Sequence, residues 1–350
     1  MTAETGFAHG ATTHRGERMT LALALTMGEP AGIGGEIALK AWLRRRDGVP
    51  CFYSIDDAER LAALARGLGW VAKVCPIDRP EDAAAAFPEG LPVLPVGGRT
   101  RAEPGRPDPA DAPLVIGAIE RAVADVRAGR AAALVTNPIN KDALYRAGFR
   151  HPGHTEFLAE LAGTGEAPVM MLACPELRVV PITIHLPLRR AIEALSRSAI
   201  LHAGRVTHAA LVRDFGVTAP VLAFAGLNPH AGEAGGLGRE DIEIIAPAIA
   251  QLRADGIDAR GPLSADTMFH AEARRGYDAA LCMYHDQALI PIKTIDFDGG
   301  VNVTLGLPFV RTSPDHGTAF AIAGQGVARE HSLVAALRLA AQMAARRAAG

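Results

Sequence analysis

The chain has 350 residues, of which 49% are hydrophobic, and its 36 basic and 38 acidic residues give a formal net charge of −2. This length and composition predict a globular protein of about two domains with a large apolar core. The nearly balanced charge provides no basic face for nucleic acid or anionic lipid, whereas a small anionic substrate needs only a few cations. The four cysteines lie far apart and form no CxxC pair, so neither a disulfide framework nor a cysteine zinc site is expected.

The N-terminal segment lacks the continuous apolar stretch of a secretory signal, and we expect residues 1–19 to form a disordered tail. No later run approaches the roughly 18 uncharged residues of a membrane helix. We therefore expect a cytoplasmic protein with neither a membrane nor a nucleic-acid partner.

A short apolar run, a turn rich in Gly, Pro or Asn, and a helical stretch follow one another repeatedly from residue 21 onward. The first such unit is LALALTM, then GEPAGIGGE, then IALKAWLRRR. The glycines of its turn fit neither GxGxxG nor the P-loop, so we interpret the turn as a tight strand-to-helix connection. Apolar runs that alternate with helices indicate a mainly parallel sheet of the α/β class. The same order recurs in AAALVTNPINKDALYRAG, VVPITIHLPLRRAIEAL, VLAFAGLNPHAGE and AALCMYHDQALIPIKTI.

The remaining stretches carry weaker signals. Residues 76–112 are rich in Pro and Gly and are predicted to be mainly loop with one strand, LPVLPV. Residues 239–256, REDIEIIAPAIAQLRADG, follow the NPHAGE turn as a helix. Residues 296–319 are predicted to form a hairpin-like or irregular stretch, and the C-terminal SLVAALRLAAQMAARRAAG has the apolar spacing of a helix.

Three histidines, His185, His230 and His285, stand directly after strand-like runs. Loops at the carboxyl ends of parallel strands meet at one edge of a sheet, or in a cleft between two sheets, where ligands bind. Neutral imidazole is a common ligand of zinc and similar divalent ions, and three protein ligands with one open position form a catalytic site. The alternative is that each is an ordinary surface or hydrogen-bonded histidine, because HExxH-type spacing is absent. Their equivalent positions favour the metal site.

Other residue types indicate anion binding. The run PGHTEF places His154 and Thr155 at a predicted helix start, where free N–H groups and the helix dipole attract anions. The alternative is that Thr155 only caps that helix. Lys293 and Arg311 are isolated cations near apolar runs. Because burying a lone charge is costly, we expect each of them to have an anionic partner or to face a solvent-lined cleft.

Eight ordered motifs between residues 21 and 345 resemble the 4-hydroxythreonine-4-phosphate dehydrogenases of pyridoxal phosphate biosynthesis. They are TMGEPAGIGGE, VTNPINK, PGHTEFL, ITIHLPLR, GLNPHAGE, ADTMF, MYHDQ and GVNVTLGLPFVRTSPDHGTA. The resemblance implies oxidation of the C3 hydroxyl of 4-phosphooxy-L-threonine by NAD or NADP, with loss of carbon dioxide to give 3-amino-2-oxopropyl phosphate. It also implies one divalent metal per subunit, zinc, magnesium or cobalt, held by His185, His230 and His285.

The resemblance extends to substrate and subunit organisation. The substrate contacts of the family fall here on His154, Thr155, Lys293, Asn302 and Arg311. The family is a homodimer with its active site at the subunit interface. Its fold is similar to that of the isocitrate and isopropylmalate dehydrogenases, which have two α/β/α domains with mainly parallel sheets and a cleft between them. In those more distant relatives an HGxA-type loop contacts the adenosine part of the cofactor, which makes His316, Gly317 and Thr318 the cofactor candidates here.

The same analogy predicts how the chain divides into domains. Residues 20–140 together with 300–350 would form a first α/β domain on the cofactor side. Residues 141–299 would form a second α/β domain that carries the metal and the dimer interface.

The chemistry requires a group that accepts the hydroxyl proton of the substrate, because an alcohol is a poor hydride donor until that proton leaves. A bound cation lowers the pKa of the hydroxyl, and Asp266, Asp286 and Lys293 are the candidate proton acceptors. Either aspartate could instead orient an imidazole ligand. NAD and NADP are not distinguished, because no acidic residue stands at a recognised distance from a Rossmann fingerprint.

Two other functions remain open at this point. One is a paralogous dehydrogenase of a phosphorylated four-carbon sugar acid or a cyclic diol acid. The other is a metal-dependent hydrolase that carries water at the open metal position.

Overall fold

The computed structural model describes residues 21–151 and 153–349, so the predicted tail at residues 1–19 lies outside it. Within that range twelve strands form one sheet. The strands are β1 (Leu23–Thr26), β2 (Phe52–Asp56), β3 (Val74–Pro76), β4 (Leu91–Pro95), β5 (Leu134–Thr136), β6 (Val169–Cys174), β7 (Leu177–Pro181), β8 (Val221–Ala225), β9 (Asp258–Leu263), β10 (Ala279–Cys282), β11 (Val301–Leu305) and β12 (Arg311–Pro314).

Twelve α-helices accompany these strands in the described part of the chain. They are α1 (Gly34–Leu43), α2 (Ala58–Gly67), α3 (Ala83–Ala86), α4 (Ala112–Arg127), α5 (Lys141–Arg146), α6 (His154–Ala162), α7 (Leu188–Ala194), α8 (Arg197–Arg213), α9 (Ala246–Ala254), α10 (Ala271–Arg274), α11 (His285–Ile295) and α12 (His331–Ala349). None of the described helices combines the length and the apolar character that crossing a membrane requires.

The strand order is β3-β4-β2-β1-β5-β12-β11-β6-β7-β10-β8-β9. Most neighbours pair in parallel, and the antiparallel pairs are β12 with β11, β11 with β6, and β6 with β7. The predicted α/β class with a mainly parallel sheet is therefore confirmed. We call β1–β5 with β12 the first half-sheet and β6–β11 the second half-sheet. Because the antiparallel pairs reverse the direction, the carboxyl ends of β7, β8 and β10 lie at the opposite edge from those of β1, β5 and β12.

The two faces of the sheet are covered differently. One face packs against a single apolar cluster that extends over both half-sheets and includes Leu25, Val135, Val303 and Leu281. On the other face, α4 and α6 cover the first half-sheet with one cluster, and α11 covers the second half-sheet with another. A gap is left between these two covers, and β5, β12 and β11 form its floor.

Polar side chains alternate with apolar ones along the strands of this floor. In β11, Val301, Val303 and Leu305 join the continuous apolar cluster, so Asn302 and Thr304 face the gap. By the same alternation the gap is lined by the set Thr136, Asn302, Thr304, Arg311 and Ser313, which we call the polar strip. A cleft with a polar floor therefore runs between the two helical covers. The sheet itself is continuous across this cleft, and the domain limits named above stay a prediction.

Several local predictions need correction. Residues 76–112 contain the predicted strand β4, but also the short helix α3 and two 3₁₀ segments, Pro80–Asp82 and Pro109–Asp111. The stretch predicted as one helix at 239–256 begins as a π-helical segment, Asp241–Ile245, and becomes α-helical at Ala246, just before Pro247. The helix is continuous through this change, and Pro247 lacks the N–H that would otherwise donate to a carbonyl of the preceding turn.

Candidate active site

The three histidines predicted as metal ligands follow three adjacent parallel strands. His185 follows β7, His285 follows β10 and His230 follows β8, and β10 pairs with both of the other strands. All three loops therefore meet at the carboxyl edge of the second half-sheet. The rings of His185 and His285 face each other edge to face with their centroids 5.5 Å apart.

His185 and His285 open onto a shared cavity of about 480 Å³, which Tyr284 and Asp286 also line. Burial, followed by the nearby His285 and Lys141, lowers the pKa of His185, so this imidazole stays neutral at pH 7. The Nδ1 atom of His285 lies 2.7 Å from Oδ1 of Asp286. A carboxylate on one ring nitrogen fixes the tautomer and leaves the other nitrogen available as a ligand.

His230 lies in a left-handed turn that the NPHAGE sequence forms after β8. Residues 230–234 all have positive φ, which is 53° at His230 and 80° at Gly232. Asp241 holds the start of this turn, because its carboxylate accepts hydrogen bonds from the N–H groups of Leu227 at 2.8 Å and Asn228 at 3.2 Å. The His230 side chain is exposed and lies close enough to Asp266 for its charge to act on that carboxyl.

Within one chain the three histidines do not close around a single point. In the described residues, the His, Cys, Asp or Glu side chains whose ligand atoms all lie within 4.8 Å of one another are those of Cys174, Glu176 and Asp296. That cluster is at the β6–β7 hairpin, where Cys174 pairs with Leu177, and β7 separates it from His185 by about 16 Å. It is therefore distinct from the predicted histidine site.

Arg311 lies in the polar strip at the floor of the cleft and is only 4% exposed. Its guanidinium donates to Oγ1 of Thr136, at 2.6 Å from Nη2, and to Oγ1 of Thr304, at 2.8 Å from Nη1. Both partners are neutral, and no described carboxylate forms an ion pair with Arg311. Burial lowers the pKa of Arg311 to about 10, so the group still carries its charge at pH 7. An uncompensated buried cation of this kind is suited to binding an anion.

His154 and Thr155 lie at the start of α6, beside this arginine. Gly153 is the residue that precedes the helix, and no side chain caps it, so the interpretation of Thr155 as the N-cap is wrong. The buried Nε2 atom of His154 has no hydrogen-bond partner among the described residues. Burial, followed by the charges of Arg311 and Lys141, lowers the pKa of His154 well below its ordinary value. The helix start and a neutral imidazole therefore face the same region as the Arg311 guanidinium.

Lys293 lies on α11, the helix that covers the second half-sheet beside the cleft. This helix is about 16 Å long and extends from His285 at one edge to Lys293 near the other. The Nζ atom of Lys293 lies 2.7 Å from Oδ2 of Asp315, which follows β12 in the first half-sheet. This ion pair therefore links α11 to the end of β12, a strand of the cleft floor. Asn302 is half-buried on the floor of the same cleft.

The two aspartates predicted as proton acceptors already have partners. Asp286 contacts His285, as described above. Asp266 accepts a hydrogen bond from the Ser264 hydroxyl at 2.6 Å, and this bond is the main reason why the pKa of Asp266 is lowered. The pKa of Asp266 is thus shifted away from the raised value that a general base near neutrality needs.

The residues predicted to bind the cofactor lie at the opposite edge of the sheet from the three histidines. The loop at 316–318 packs on the glycine-rich turn of residues 28–36, because the Ile33 N–H donates to the Thr318 carbonyl at 3.0 Å. A Cβ on Gly32 would lie 2.9 Å from that carbonyl oxygen, which is too close, so the contact requires glycine there. The Nε2 atom of His316 is buried without a hydrogen-bond partner in the described chain, and burial lowers the pKa of this imidazole.

Sequence reasoning missed Lys141, Thr136 and Thr304. The two threonines are the polar members of otherwise apolar strands, and that alternation was a visible signal. Lys141 belongs to the VTNPINK motif, but its position near His154 and His185 depends on how α5 and α6 pack. No local pattern indicates that packing.

Comparison with known proteins connects this geometry to a family. The family model of the pyridoxal phosphate biosynthetic protein PdxA matches residues 51–340. A 4-hydroxythreonine-4-phosphate dehydrogenase of Bradyrhizobium diazoefficiens is 58% identical over 335 residues, which are 92% of this chain and 97% of that protein. The chain belongs to this dehydrogenase family. It is therefore an oxidoreductase that acts on a CH–OH group, and the hydrolase alternative is set aside.

Solved structures of family members and relatives agree with the fold. The 4-hydroxythreonine-4-phosphate dehydrogenase from Klebsiella pneumoniae is 38% identical with a TM-score of 0.83, covering 93% of this chain and 100% of that one. A terephthalate 1,2-cis-dihydrodiol dehydrogenase from Burkholderia xenovorans is 28% identical with a TM-score of 0.62, covering 92% and 98%. The family architecture thus includes dehydrogenases whose names specify different substrates.

Proposed function

We propose that this protein oxidises 4-phosphooxy-L-threonine at C3 with NAD or NADP, and that decarboxylation then gives 3-amino-2-oxopropyl phosphate. The observation that carries the proposal is a cleft with two facing imidazoles at one edge and, on its floor, a buried arginine without a carboxylate partner. Relatives at high identity are named for this substrate. The substrate carries anionic groups close to the carbon that is oxidised. Neutral imidazoles suit a metal that binds its hydroxyl, and the arginine suits an anionic group.

The residues present fit one divalent metal. His185 and His285 offer neutral nitrogen donors to a shared cavity, and Asp286 orients the second imidazole. His230 is the third ligand in the proposal, because its loop lies at the same sheet edge. A zinc, magnesium or cobalt ion held there would lower the pKa of the substrate hydroxyl and stabilise the developing alkoxide.

A homodimer would explain why His230 does not close the site within one chain. Large apolar side chains beside the histidine pair are exposed, notably Leu188 at 58% and Ile290 at 64%. Exposed apolar residues around a site are typical of an interface that another subunit covers. We infer that a second copy of the chain packs on this surface and that His230 from one copy completes the ligand set of the other. Light scattering of the protein in solution should then give twice the mass of the chain.

We propose one of the three candidate residues as the proton acceptor. Asp286 is assigned to orienting His285, and Asp266 is a weak base because Ser264 holds its carboxylate in the ionised form. In this proposal Lys293 takes the hydroxyl proton as a neutral amine, once the ammonium group has passed a proton to Asp315, whose Oδ2 lies 2.7 Å from Nζ. We also assign Asn302 and Thr155 to polar contacts with the substrate, because both lie in the cleft.

The cofactor is assigned to the edge of the cleft opposite the histidines. Its adenosine part would lie against His316, Gly317 and Thr318, where the unpaired Nε2 of His316 offers a hydrogen bond. The reaction is placed in the cytoplasm, because all four cysteines are unpaired and would remain reduced there.

The test is the rate at which reduced nicotinamide forms from 4-phosphooxy-L-threonine, after the protein is stripped with a chelator and reloaded with zinc, magnesium or cobalt. We expect turnover only with metal present. A cis-dihydrodiol of an aromatic acid serves as the second substrate, because of the likeness to the terephthalate dihydrodiol dehydrogenase. Turnover of the dihydrodiol alone would assign the paralogous function, and turnover of neither substrate with any metal would refute the proposal.

A further inference from the structure

Lys141, the first residue of α5, lies between the two groups of site residues. Its charge is close enough to His154 to lower the pKa of that imidazole. Its Nζ atom lies 3.1 Å from the point that a Cβ on Gly153 would occupy, directly before the start of α6. Within residues 21–151 and 153–349, the side chain of Lys141 forms neither a hydrogen bond nor an ion pair. An exposed lysine side chain without a partner therefore lies at the uncapped start of α6.

This arrangement concentrates positive charge at one place. The amino end of α6 carries the positive end of the helix dipole, and Arg311 adds a buried guanidinium without a carboxylate. Nε2 of His154 is a buried polar atom that has no partner among the described residues and faces the same charges. Like charges that are brought together repel one another, so the cluster is stabilised only when an anion joins it.

Glu156 is the acid that comes nearest to Lys141. Its Oε2 atom also lies 3.1 Å from the hypothetical Cβ on Gly153, but no ion pair within 4.0 Å joins it to Lys141. Both side chains therefore fold over Gly153 without neutralising each other. A Cβ at this position would push both flexible side-chain ends aside by a few tenths of an ångström.

We propose that Lys141 is a third ligand of the phosphate group of the substrate, together with Arg311 and Nε2 of His154. This inference rests on the proposed function and deepens it. A phosphate monoester carries close to two negative charges and three terminal oxygens, so it can use three separate donors. A carboxylate has one charge and two oxygens, which the Arg311 guanidinium alone would satisfy. The number of donors therefore assigns this end of the cleft to the phosphate.

The test compares Lys141→Gln, which removes the charge, with Lys141→Arg, which keeps it. Lys73→Gln is the matched control, because Lys73 is exposed and lies next to the edge strand β3 in the first half-sheet. Isothermal titration with inorganic phosphate measures anion affinity without turnover, and steady-state kinetics give KM and kcat for 4-phosphooxy-L-threonine. We expect Lys141→Gln to weaken phosphate binding and to raise KM about tenfold or more, with kcat changed less than about threefold. Lys141→Arg should stay near the wild type, and Lys73→Gln should match it.

The outcomes separate this inference from the proposed function. Unchanged phosphate affinity and unchanged KM in Lys141→Gln would overturn the role of Lys141 while leaving the dehydrogenase activity intact. A raised KM with unchanged phosphate affinity would assign Lys141 to the carboxylate and overturn the phosphate assignment. If the wild type binds phosphate through Lys141 but never turns over the substrate, the anion site stands and the proposed function fails.

Discussion

Arg311 keeps a full charge inside the protein with only two threonine hydroxyls as partners. Hydroxyl donors and acceptors orient a guanidinium but do not neutralise it. A buried charge of this kind lowers the stability of the free protein and becomes useful once an anion is bound. The residue is therefore better explained by ligand binding than by folding.

Replacing Arg311 with Gln should separate its effect on ligand binding from its effect on stability. We expect KM for the substrate to rise about 10- to 100-fold, because a charge-assisted contact with the anion is lost. The free energy of unfolding should not fall by more than about 1 kcal/mol, because the uncompensated charge disappears with its hydrogen bonds. Chemical denaturation and steady-state kinetics check both, with Arg79→Gln as an exposed control. A large loss of stability with unchanged KM would show that Arg311 is structural.

His154 makes stability depend on pH. Burial lowers the pKa of His154 in the folded protein well below the 6.5 of a free imidazole. Between these two values the unfolded chain binds a proton that the folded chain does not, so stability rises with pH in this window. It is lost as pH falls below about 6.5, by up to about 1.4 kcal/mol per pH unit for one proton.

His154→Asn removes this proton uptake. The curve of Tm against pH should become flatter than that of the wild type between about pH 7 and pH 5. His331→Asn, at an exposed position, is the control and should keep the slope of the wild type. An identical slope in the His154 variant would contradict the assignment of a buried neutral imidazole.

The turn that carries His230 depends on a neighbouring element for its shape. Asp241, at the start of the π-helical segment, accepts hydrogen bonds from two backbone N–H groups of the turn and from the side chain of Asn228. The left-handed conformation of residues 230–234 is unfavourable for side chains other than glycine, so it needs such support. The conformation of the NPHAGE turn therefore depends on Asp241, which lies outside the turn.

We expect Asp241→Ala to destabilise the left-handed conformation of this turn. Unpaired N–H groups cost about 1–3 kcal/mol of unfolding free energy, and a misplaced ligand should weaken metal affinity about 10- to 100-fold. Metal titration and thermal unfolding of the variant measure both effects, with Asp258→Ala as an exposed control. Wild-type metal affinity in Asp241→Ala would show that the turn keeps its shape without this carboxylate, or that His230 is not a ligand.

The elements that could be predicted from sequence are those fixed by local pattern. Apolar runs followed by turns indicated β1, β5, β7, β8 and β10, and with them the loops that carry the three histidines. The hairpin of β6 and β7 was not predicted, because its strands are both apolar and its turn is a short Pro175-Glu176 step. The reversal of strand direction follows from that hairpin and from the pairing of β11 with β6, which depend on contacts distant in sequence.

The site shows the same division between local and non-local information. The motif residues could be identified from the sequence, but their hydrogen-bond and ion-pair partners could not. Thr136 and Thr304 contact Arg311 across three strands, and the Lys293–Asp315 pair links α11 to the end of β12. Such pairings depend on how the half-sheets meet, which periodicity does not encode.

At the scale of the whole molecule, the reversed strands give the cleft two different ends. The histidine loops lie at one edge of the sheet and the glycine-rich turn with residues 316–318 lies at the other. The polar strip and α11 connect these edges over about 16 Å, which is long enough to hold a small substrate between the proposed metal site and the proposed cofactor site. One continuous sheet thus fixes the positions of the proposed metal, substrate and cofactor sites relative to one another.

The central claim is that a divalent metal bound by His185, His230 and His285 supports the oxidation. The most direct test is the metal content of the purified protein and of its three single alanine variants, by plasma mass spectrometry, with His331→Ala as the control. We predict about one metal ion per chain in the wild type and in the control, and a loss of about tenfold or more in each of the three variants, with the fold retained. Full metal content in any of the three would contradict the assignment of that histidine, and full content in all three would contradict the account.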